Sequence, residues 1–224
     1  MSAAQSQERV PAPARARSAE AKAERRSEIL AAAKATFAIK GYHDTKVSDV
    51  AKAAGISYGS IYWYFDSKDA LFHALMDHEQ ELLRDHIAHS TEGSPGALDG
   101  DSFFRAAVRA TFEFFEADRD VVRLLFRDSL VLGDRFEGHL ANIYEGFIAD
   151  IEATVGLAQS AGYVVDAPPR IVAFSVAALI SQLAVRRLTV DDDLTTAEVA
   201  DIVVDLLLRG LLPRPDDPPA RRTS

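Results

Sequence analysis

Apolar residues recur along this chain with the spacing of helices, and no segment alternates as a strand would. Ile29, Ala33 and Phe37 stand at i, i+4 and i+8, which places them on one face of a helix from about Ala21 to Gly41. Further helices are predicted over about 47–54, 57–65, from 68 past 83, and over about 101–117, 119–132, 136–161, 168–188 and 195–211. The pattern predicts an all-α fold.

Residues with capping side chains stand at several of the predicted helix starts. Thr45 is expected to cap the second helix and Ser57 the third, because a hydroxyl oxygen can accept a hydrogen bond from the first turn. Thr195 and Glu198 form a capping box before the last helix. Residues 90–100 are rich in Gly, Ser and Pro, which predicts a linker.

The second and third helices, joined at Gly55, form a helix-turn-helix pattern. The turn between them must be tight, and Val50 and Ile61 are expected to pack the two helices together. Phe65 follows Ile61 on the same inward face. The outward face of the third helix carries hydrogen-bonding groups, and Gly59 would let its backbone come close to DNA. These outward groups are Ser57, Tyr58, Ser60, Tyr62 and Tyr64.

The segment over about residues 25–75 resembles the DNA-binding domain of the tetracycline-repressor (TetR) family without a gap. Its most specific part is the run Ile61-Tyr62-Trp63-Tyr64-Phe65-Asp66-Ser67-Lys68-Asp69-Ala70-Leu71. Asp66 stands where many members have Pro, which is a common variation. The resemblance implies phosphate contacts from Tyr62, Tyr64 and Lys68, and base contacts from Ser48, Ser57, Tyr58 and Ser60. Thr45, Lys46 and Gly59 complete the predicted DNA-binding surface.

The charge of the chain is divided unevenly along its length. Residues 1–72 hold 11 Lys and Arg against 8 Asp and Glu, whereas residues 73–224 hold 14 against 26. A basic N-terminal part on an acidic body is expected when only the N-terminal part meets phosphate. The basic residues near the N-terminus could form either a DNA-binding arm or a solubilising tail, and both roles stay open. These residues are Arg9, Arg15, Arg17, Lys22, Arg25 and Arg26.

Trp63 is expected to pack against the first or fourth helix.

The C-terminal part is expected to bind an effector, because the TetR resemblance implies a ligand site there. Aromatic residues of its helices could line an apolar cavity, and an arginine beside them could meet a carboxylate or phosphate. An effector of the fatty-acid or acyl-CoA type would suit such a site. The expected cavity residues are Phe104, Phe112, Phe115, Arg123, Phe126, Tyr144, Phe147 and Phe174, with Arg105, Arg109 and Arg127 as other candidate cations.

The last two predicted helices carry more apolar surface than one chain of this size can bury. The stretch 171–185 is apolar or small on nearly all faces, and the final helix has a wide leucine stripe. We therefore expect a homodimer paired through helices 168–188 and 195–211. The apolar run is shorter than the roughly 20 residues of a membrane span, which predicts a buried helix and no membrane partner.

Motifs of other function classes are weak. Residues 55–59 match the G-x-S-x-G elbow of hydrolases, but a helix precedes Ser57 where that motif needs a strand. His78, His86 and His89 share a predicted helix, and a solvated polar face explains them better than a metal site. The chain has no Cys, which excludes disulfides and thiolate sites and fits the cytoplasm. No cofactor and no enzymatic activity are expected.

Taken together, the sequence predicts four segments. These are a disordered arm (1–20), a helix-turn-helix domain (21–72), a helical effector-binding and dimerisation domain (73–212) and a mobile tail (213–224). The function expected is a sequence-specific transcriptional regulator, a repressor released by a small, mainly apolar ligand. An all-helical enzyme or heme- or metal-binding bundle, and a nonspecific architectural DNA binder, remain the alternatives. Operator, effector and regulated genes stay open.

Overall fold

The structure is a computed structural model that describes residues 14–91, 100–127, 134–160, 167–190 and 193–209. Every regular element within these ranges is helical, so the predicted all-α class is confirmed. The chain divides into two units between Leu75 and Met76, three residues beyond the boundary expected from the sequence. Residues 1–13 of the predicted arm and 213–224 of the predicted tail lie outside the described residues.

The first unit packs three helices and the start of a fourth around an aromatic core. The helices are α1 (Ala14–Asp44), α2 (Val47–Ala53), α3 (Tyr58–Ile61) and α4 (Lys68–Thr91). The rings of Phe37 and Phe72 meet edge to face with centroids 5.3 Å apart, and Tyr42 stacks on Phe37 at 5.7 Å. Ile29, Ala33 and Phe37 are fully buried, as the i, i+4, i+8 pattern predicted.

Helix α1 begins at Ala14, earlier than expected, so residues 14–20 are helical although their composition suggested disorder. The reason is local, because Ala, Glu and Arg, which make up most of residues 14–20, are strong helix formers. Residues 19–28 are all exposed, and Ile29, which follows them, is buried. Gly41, with φ near +79°, interrupts the regular helix as predicted, before a last turn ending at Asp44.

Helix α2 is not capped by Thr45, as the sequence had suggested. It starts at Val47 with Lys46 as the N-cap residue, whose N–H donates to the Asp49 carboxylate at 3.0 Å. Thr45 is 1% exposed, and its hydroxyl donates to the carbonyl of Gly41 at 2.7 Å. Thr45 therefore closes the end of α1 instead of starting α2, because its side chain turns into the corner between the two helices.

The other two predicted caps are confirmed. The N–H of Ser60 donates to the Ser57 hydroxyl oxygen at 3.2 Å, and Ser57 is the N-cap of α3. The N–H of Thr195 donates to the Glu198 carboxylate at 2.8 Å, and the N–H of Glu198 donates back to the Thr195 hydroxyl at 3.3 Å. The hydrogen bonds from Thr195 lower the pKa of Glu198.

The second unit joins the later part of α4 to five further helices. These are α5 (Gly100–Ala117), α6 (Arg119–Val122), α7 (Asp134–Ser160), α8 (Pro169–Arg187) and α9 (Thr196–Arg209). α7 packs along α8, and α5 packs along α9. A π-helical turn, Arg123–Arg127, follows α6 where the sequence predicted one continuous helix. The hydrophobic core of the second unit includes Leu83, Phe112, Phe115, Val122, Ile180 and Val203.

Helix α8 leaves part of its apolar surface uncovered. By length and composition it is the one helix, among those described, that could cross a membrane, and 33% of its apolar window is buried within the protein. Ala173, Ala177 and Ile180 face inward, whereas Ile171 and Phe174 are 64% and 53% exposed. The sequence predicted that apolar residues would cover both sides of this helix. Among the described residues of one chain, such cover is present on one side.

Candidate DNA-binding surface and ligand cavity

A tight turn sets α3 against α2. Gly55 has φ near +66°, a left-handed conformation that a residue without Cβ adopts without strain. The N–H of Ile56 donates to the carbonyl of Ala51 at 3.0 Å and closes the turn. Ile61 and Phe65 are 1% and 5% exposed, as their spacing predicted. These two anchors turn the opposite side of α3 to solvent.

Hydroxyl groups and aromatic rings cover the outward side of α3. The hydroxyls of Tyr58 and Tyr62 lie 2.7 Å apart and their ring centroids 5.2 Å apart. Their hydrogen bond raises the pKa of Tyr62 above its ordinary value. The Ser57 and Ser60 hydroxyls also lie 2.7 Å apart. Donors of this kind suit phosphate oxygens and base edges.

Trp63 belongs to this exposed surface, although the sequence suggested that it packs inward. Its side chain is 83% exposed. α3 ends at Ile61, and residues 62–64 form a turn, so helical spacing from Ile61 no longer fixes the direction of residue 63. The expectation of packing against the first or fourth helix is therefore wrong.

The remaining residues assigned to the DNA-binding surface lie in different settings. Lys46, Ser48 and Gly59 are exposed, and a Cβ added to Gly59 would meet no atom within 4 Å. Tyr64 is half-buried, and its N–H donates to the carbonyl of Ile61 at 2.9 Å. The side chain of Thr45 is buried in the corner after α1 and is not on this surface.

Lys68 holds the corner between α1 and α2. Its ammonium donates to the carbonyls of Tyr42, His43 and Thr45 at 2.9, 3.2 and 3.0 Å. It also lies 4.2 Å from the centroid of the Tyr42 ring. Burial lowers the pKa of Lys68, and the nearby charges of Asp69 and Asp44 oppose that shift. The resemblance implied a phosphate contact, but here all three ammonium protons point to the protein.

Replacing Lys68 by methionine is expected to destabilise the first unit by about 2 kcal/mol, because three carbonyls lose a charged donor. Lys52→Met is the matched control, since Lys52 is an exposed lysine of α2, and its effect should stay within about 0.5 kcal/mol. Thermal unfolding followed by circular dichroism measures both. Equal melting curves for the two variants would show that the three hydrogen bonds contribute nothing net.

The second unit contains a cavity of about 280 Å³ with mainly apolar walls. α4 contributes Gln80, Leu83, Arg84, Ile87 and Ala88; α5 contributes Phe103, Phe104, Ala107, Val108 and Thr111; α7 contributes Phe147, Asp150, Ile151 and Thr154; and α8 contributes Val176 and Ile180. Arg84 and Asp150 form an ion pair at 2.7 Å, and both side chains are about half exposed. The cavity therefore reaches solvent beside this pair.

The helix-turn-helix segment matches known proteins. A family model described as bacterial regulatory proteins, tetR family, matches residues 29–75. The first unit is a TetR-family domain. The activator FasR of Mycolicibacterium smegmatis is 35% identical over 112 residues, covering 48% of each chain. The repressor KstR2 of Rhodococcus jostii is 33% identical over 118 residues, covering 51% of this chain and 56% of KstR2. The chain thus matches about half the length of these relatives.

Solved structures share the fold of this chain over most of its length. The fatty acid degradation regulator FadR from Bacillus halodurans superposes with a TM-score of 0.75 at 22% identity, covering 84% of this chain and 97% of that one. FadR from Bacillus subtilis, solved in complex with stearoyl-CoA, gives a TM-score of 0.68 at 18% identity, with coverages of 83% and 99%. Similarity at these identities establishes the fold of both units.

The residues expected to line a cavity in the second unit are dispersed. Phe104 and Phe147 are on its wall. Phe112 and Phe115 lie instead in the core, 1% and 4% exposed, because they point from α5 towards other helices. The rings of Tyr144 and Phe174 meet edge to face with centroids 6.5 Å apart, and neither residue is part of the cavity wall. The side chain of Phe126 lies outside the described residues.

The arginine on the cavity wall is also not one of those expected from the sequence. Arg105 pairs with Asp201 and Asp205, Arg109 approaches Asp201 at 3.9 Å, and Arg123 pairs with Asp120 at 2.5 Å. The side chain of Arg127 lies outside the described residues. Arg84 of α4 is the arginine on the cavity wall. The sequence pattern did not indicate Arg84, because it lies before the aromatic-rich helices that follow residue 100.

Proposed function

We propose that this protein is a sequence-specific DNA-binding transcriptional regulator whose hold on its operator is altered by a small, mainly apolar ligand. The observation that carries the proposal is the outward side of α3, the second helix of a TetR-family helix-turn-helix, where Ser57 and Tyr58 stand exposed at the start and Tyr62 just past the end. In this motif the start of the second helix enters the major groove. Ser48 and Lys46 of the preceding helix extend the same contact.

The roles within the surface follow from the chemistry of each group. Tyr62 and Tyr64 would donate to the phosphate backbone, which fixes the position of the domain. Tyr58, Ser60, Ser57 and Ser48 would address base edges, which carry the sequence information. Lys68 would act indirectly in this scheme, since its ammonium holds the corner from which α2 starts.

We propose repression as the mode, with the ligand releasing the operator. The relatives FasR and KstR2 are an activator and a repressor, so the direction needs its own test. A ligand releases DNA only if it binds the DNA-free conformation more tightly than the DNA-bound one. Transcription in vitro from a promoter carrying the operator should fall when the protein is added and recover with ligand.

The cavity favours a ligand with an apolar body and an acidic head. Phe103, Phe104 and Phe147 would contact the body. Arg84 stands at the opening and could exchange Asp150 for a carboxylate or phosphate of the ligand. Stearoyl-CoA, the ligand of the Bacillus subtilis FadR structure, has both parts. Fatty acids and acyl-CoA esters are therefore the compounds to test first.

We further propose a cytoplasmic homodimer paired through the outward sides of α8 and α9. On α8, Ile171, Phe174 and Ala178 recur along one side, and Ile202 of α9 is 50% exposed. Apolar side chains of this size are seldom left in water together. Two-fold pairing would also present two copies of α3 to two half-sites, about 34–36 Å apart or a multiple of that.

A band-shift assay with the DNA upstream of the protein's own gene, repeated over a range of salt concentrations, tests the proposal. We expect a discrete complex that survives an excess of unrelated DNA. A nonspecific architectural binder would show equal affinity for both DNAs. An enzyme or cofactor-binding bundle would show no complex at all.

Replacing Gly146 of α7 by alanine is expected to disturb ligand binding. A Cβ at this position would lie 2.8 Å from the side-chain nitrogen of Gln80, a cavity residue, so the amide must move along the wall. Gly156→Ala is the matched control on the same helix, because its Cβ would meet nothing within 4 Å. Titration with anilinonaphthalene sulfonate, an apolar dye with an acidic group, should show weaker binding to the Gly146 variant alone. Identical titration curves would place the bound dye elsewhere.

A further inference from the structure

The exposed first half of α1 separates its charges onto two sides. Lys22, Arg25 and Arg26 fall on the stripe that Ile29, Ala33 and Phe37 continue further along the helix, since they are spaced by three, four or seven residues. Glu20 and Glu24 fall on the opposite side at i and i+4, and Glu28, at i+8, lies at the edge of that side within reach of Arg25. The buried stripe of α1 is thus extended outward by a basic one.

This basic stripe begins at Arg26, next to Phe65. The guanidinium carbon of Arg26 lies 5.3 Å from the centroid of the Phe65 ring, and Phe65 directly follows residues 62–64. Lys22 precedes Arg26 by one helical turn on the same side. The stripe therefore runs outward along α1 from Phe65, the residue that follows the turn of residues 62–64.

We propose that the basic stripe of α1 is a second DNA-binding surface, which holds the phosphate backbone next to the bases that α3 addresses. The proposal rests on the function proposed above and extends its site beyond the helix-turn-helix. Lys22 and Arg26 are about 6 Å apart along the axis of α1, comparable to about two phosphate steps of one strand measured along the duplex axis.

Charge and position together select DNA as the occupant. Lysine and arginine on an exposed helix face neutralise phosphates and release their counterions without regard to sequence. The stripe starts at Arg26 beside Phe65, the residue that follows Tyr64, and Tyr62 and Tyr64 face the backbone in the proposed complex. The acidic side of the helix would point away from DNA, which avoids repulsion. The ion pair of Arg25 with Glu28, at 2.5 Å, joins two half-exposed side chains, so Arg25 can exchange this carboxylate for a phosphate.

The test compares the double variant Lys22→Gln/Arg25→Gln with the control Glu20→Gln/Glu24→Gln on the opposite side. Glutamine is a good helix former, and all four positions are exposed, so both proteins should fold; circular dichroism verifies this. Arg26 is left intact because it contacts Phe65. The probe is a 40-base-pair duplex selected from random DNA by the wild-type protein, titrated by fluorescence anisotropy at several salt concentrations.

We expect the basic-stripe variant to bind about tenfold more weakly near physiological salt. Its salt dependence should flatten by about 0.9 for each phosphate that is no longer neutralised, or about 1.8 per protomer. Its preferred sequence should stay the same, and the acidic-side control should keep the wild-type slope. Equal slopes for all three proteins would overturn this inference alone. A wild type that selects no sequence would overturn the proposed function, and this inference with it.

Discussion

Replacing Phe174 by arginine is expected to yield a monomer that no longer holds operator DNA. Phe174 is 53% exposed on α8, so a charge there leaves the protomer core intact but would be buried without a partner in the dimer. Ile202→Arg on α9 should act in the same way. Joining two half-site contacts in one dimer raises affinity by about 10²–10⁴, and the monomer should lose an effect of that size.

The matched control for these variants is Leu157→Arg. Leu157 is 74% exposed on α7. The substitution therefore adds the same charge at an exposed apolar position outside the proposed pairing face of α8 and α9. Light scattering at micromolar concentration should give a dimer for this control and monomers for the other two. Dimers in all three would place the interface elsewhere. Leu207 is a poorer site for the test because it packs against the core of its own protomer.

Replacing Gly59 by a larger residue is expected to weaken DNA binding without harming the fold. A Cβ at Gly59 would meet nothing within 4 Å in the free protein, so the absence of a side chain serves no packing purpose there. In the proposed complex the backbone of α3 comes close to DNA at this point. Gly59→Ala should weaken binding by about tenfold and Gly59→Leu by more, because a side chain there would hold α3 away from base edges whose hydrogen bonds contribute roughly 1–3 kcal/mol each.

The thermal stability of the Gly59→Ala variant serves as an internal control. Alanine in a helix is favoured over glycine by up to about 1 kcal/mol, so the Gly59→Ala variant should melt no earlier than wild type while binding DNA less well. Gly156→Ala, at another glycine with open space around its Cβ, should keep full DNA affinity. Normal operator binding by Gly59→Leu would mean that α3 does not approach the groove closely at this residue.

The sequence predicted the helices well because their signals are local. Ile29, Ala33 and Phe37 repeat with the helical period and are buried as expected. Ser57 and the Thr195–Glu198 pair form the predicted caps, since a cap needs only residues within one turn. Gly41 and Gly55 interrupt or end helices as expected, and the structure shows that both do so with a positive φ.

The details that the sequence could not supply depend on contacts between distant segments. Thr45 has the side chain of a cap, but its hydroxyl donates to a carbonyl of α1 and not to the first turn of α2. Lys68 looks like a surface cation until the fold brings three carbonyls, from residues 23 to 26 positions earlier, around its ammonium. Trp63 has an apolar ring, yet the early end of α3 directs it to solvent.

The cavity shows the same limit more strongly. Its wall takes residues from four helices that span positions 80 to 180, and no local pattern marks such a set. Aromatic content identified Phe104 and Phe147 but equally suggested Phe112, which fills the core. Arg84 carried no signal in the sequence, because its place at the opening depends on α7 bringing Asp150 beside it.

Trp63 is the one tryptophan of the chain, and its exposure gives the protein an optical property. An indole 83% in water emits at long wavelength and is open to quenching by iodide or acrylamide. Its neighbours in the chain are Tyr62 and Tyr64, so bound DNA would shield it from the quencher and shift its emission. The sequence of the second unit contains no indole. Intrinsic fluorescence therefore reports events at the DNA-binding surface separately from those in the cavity, without any attached label.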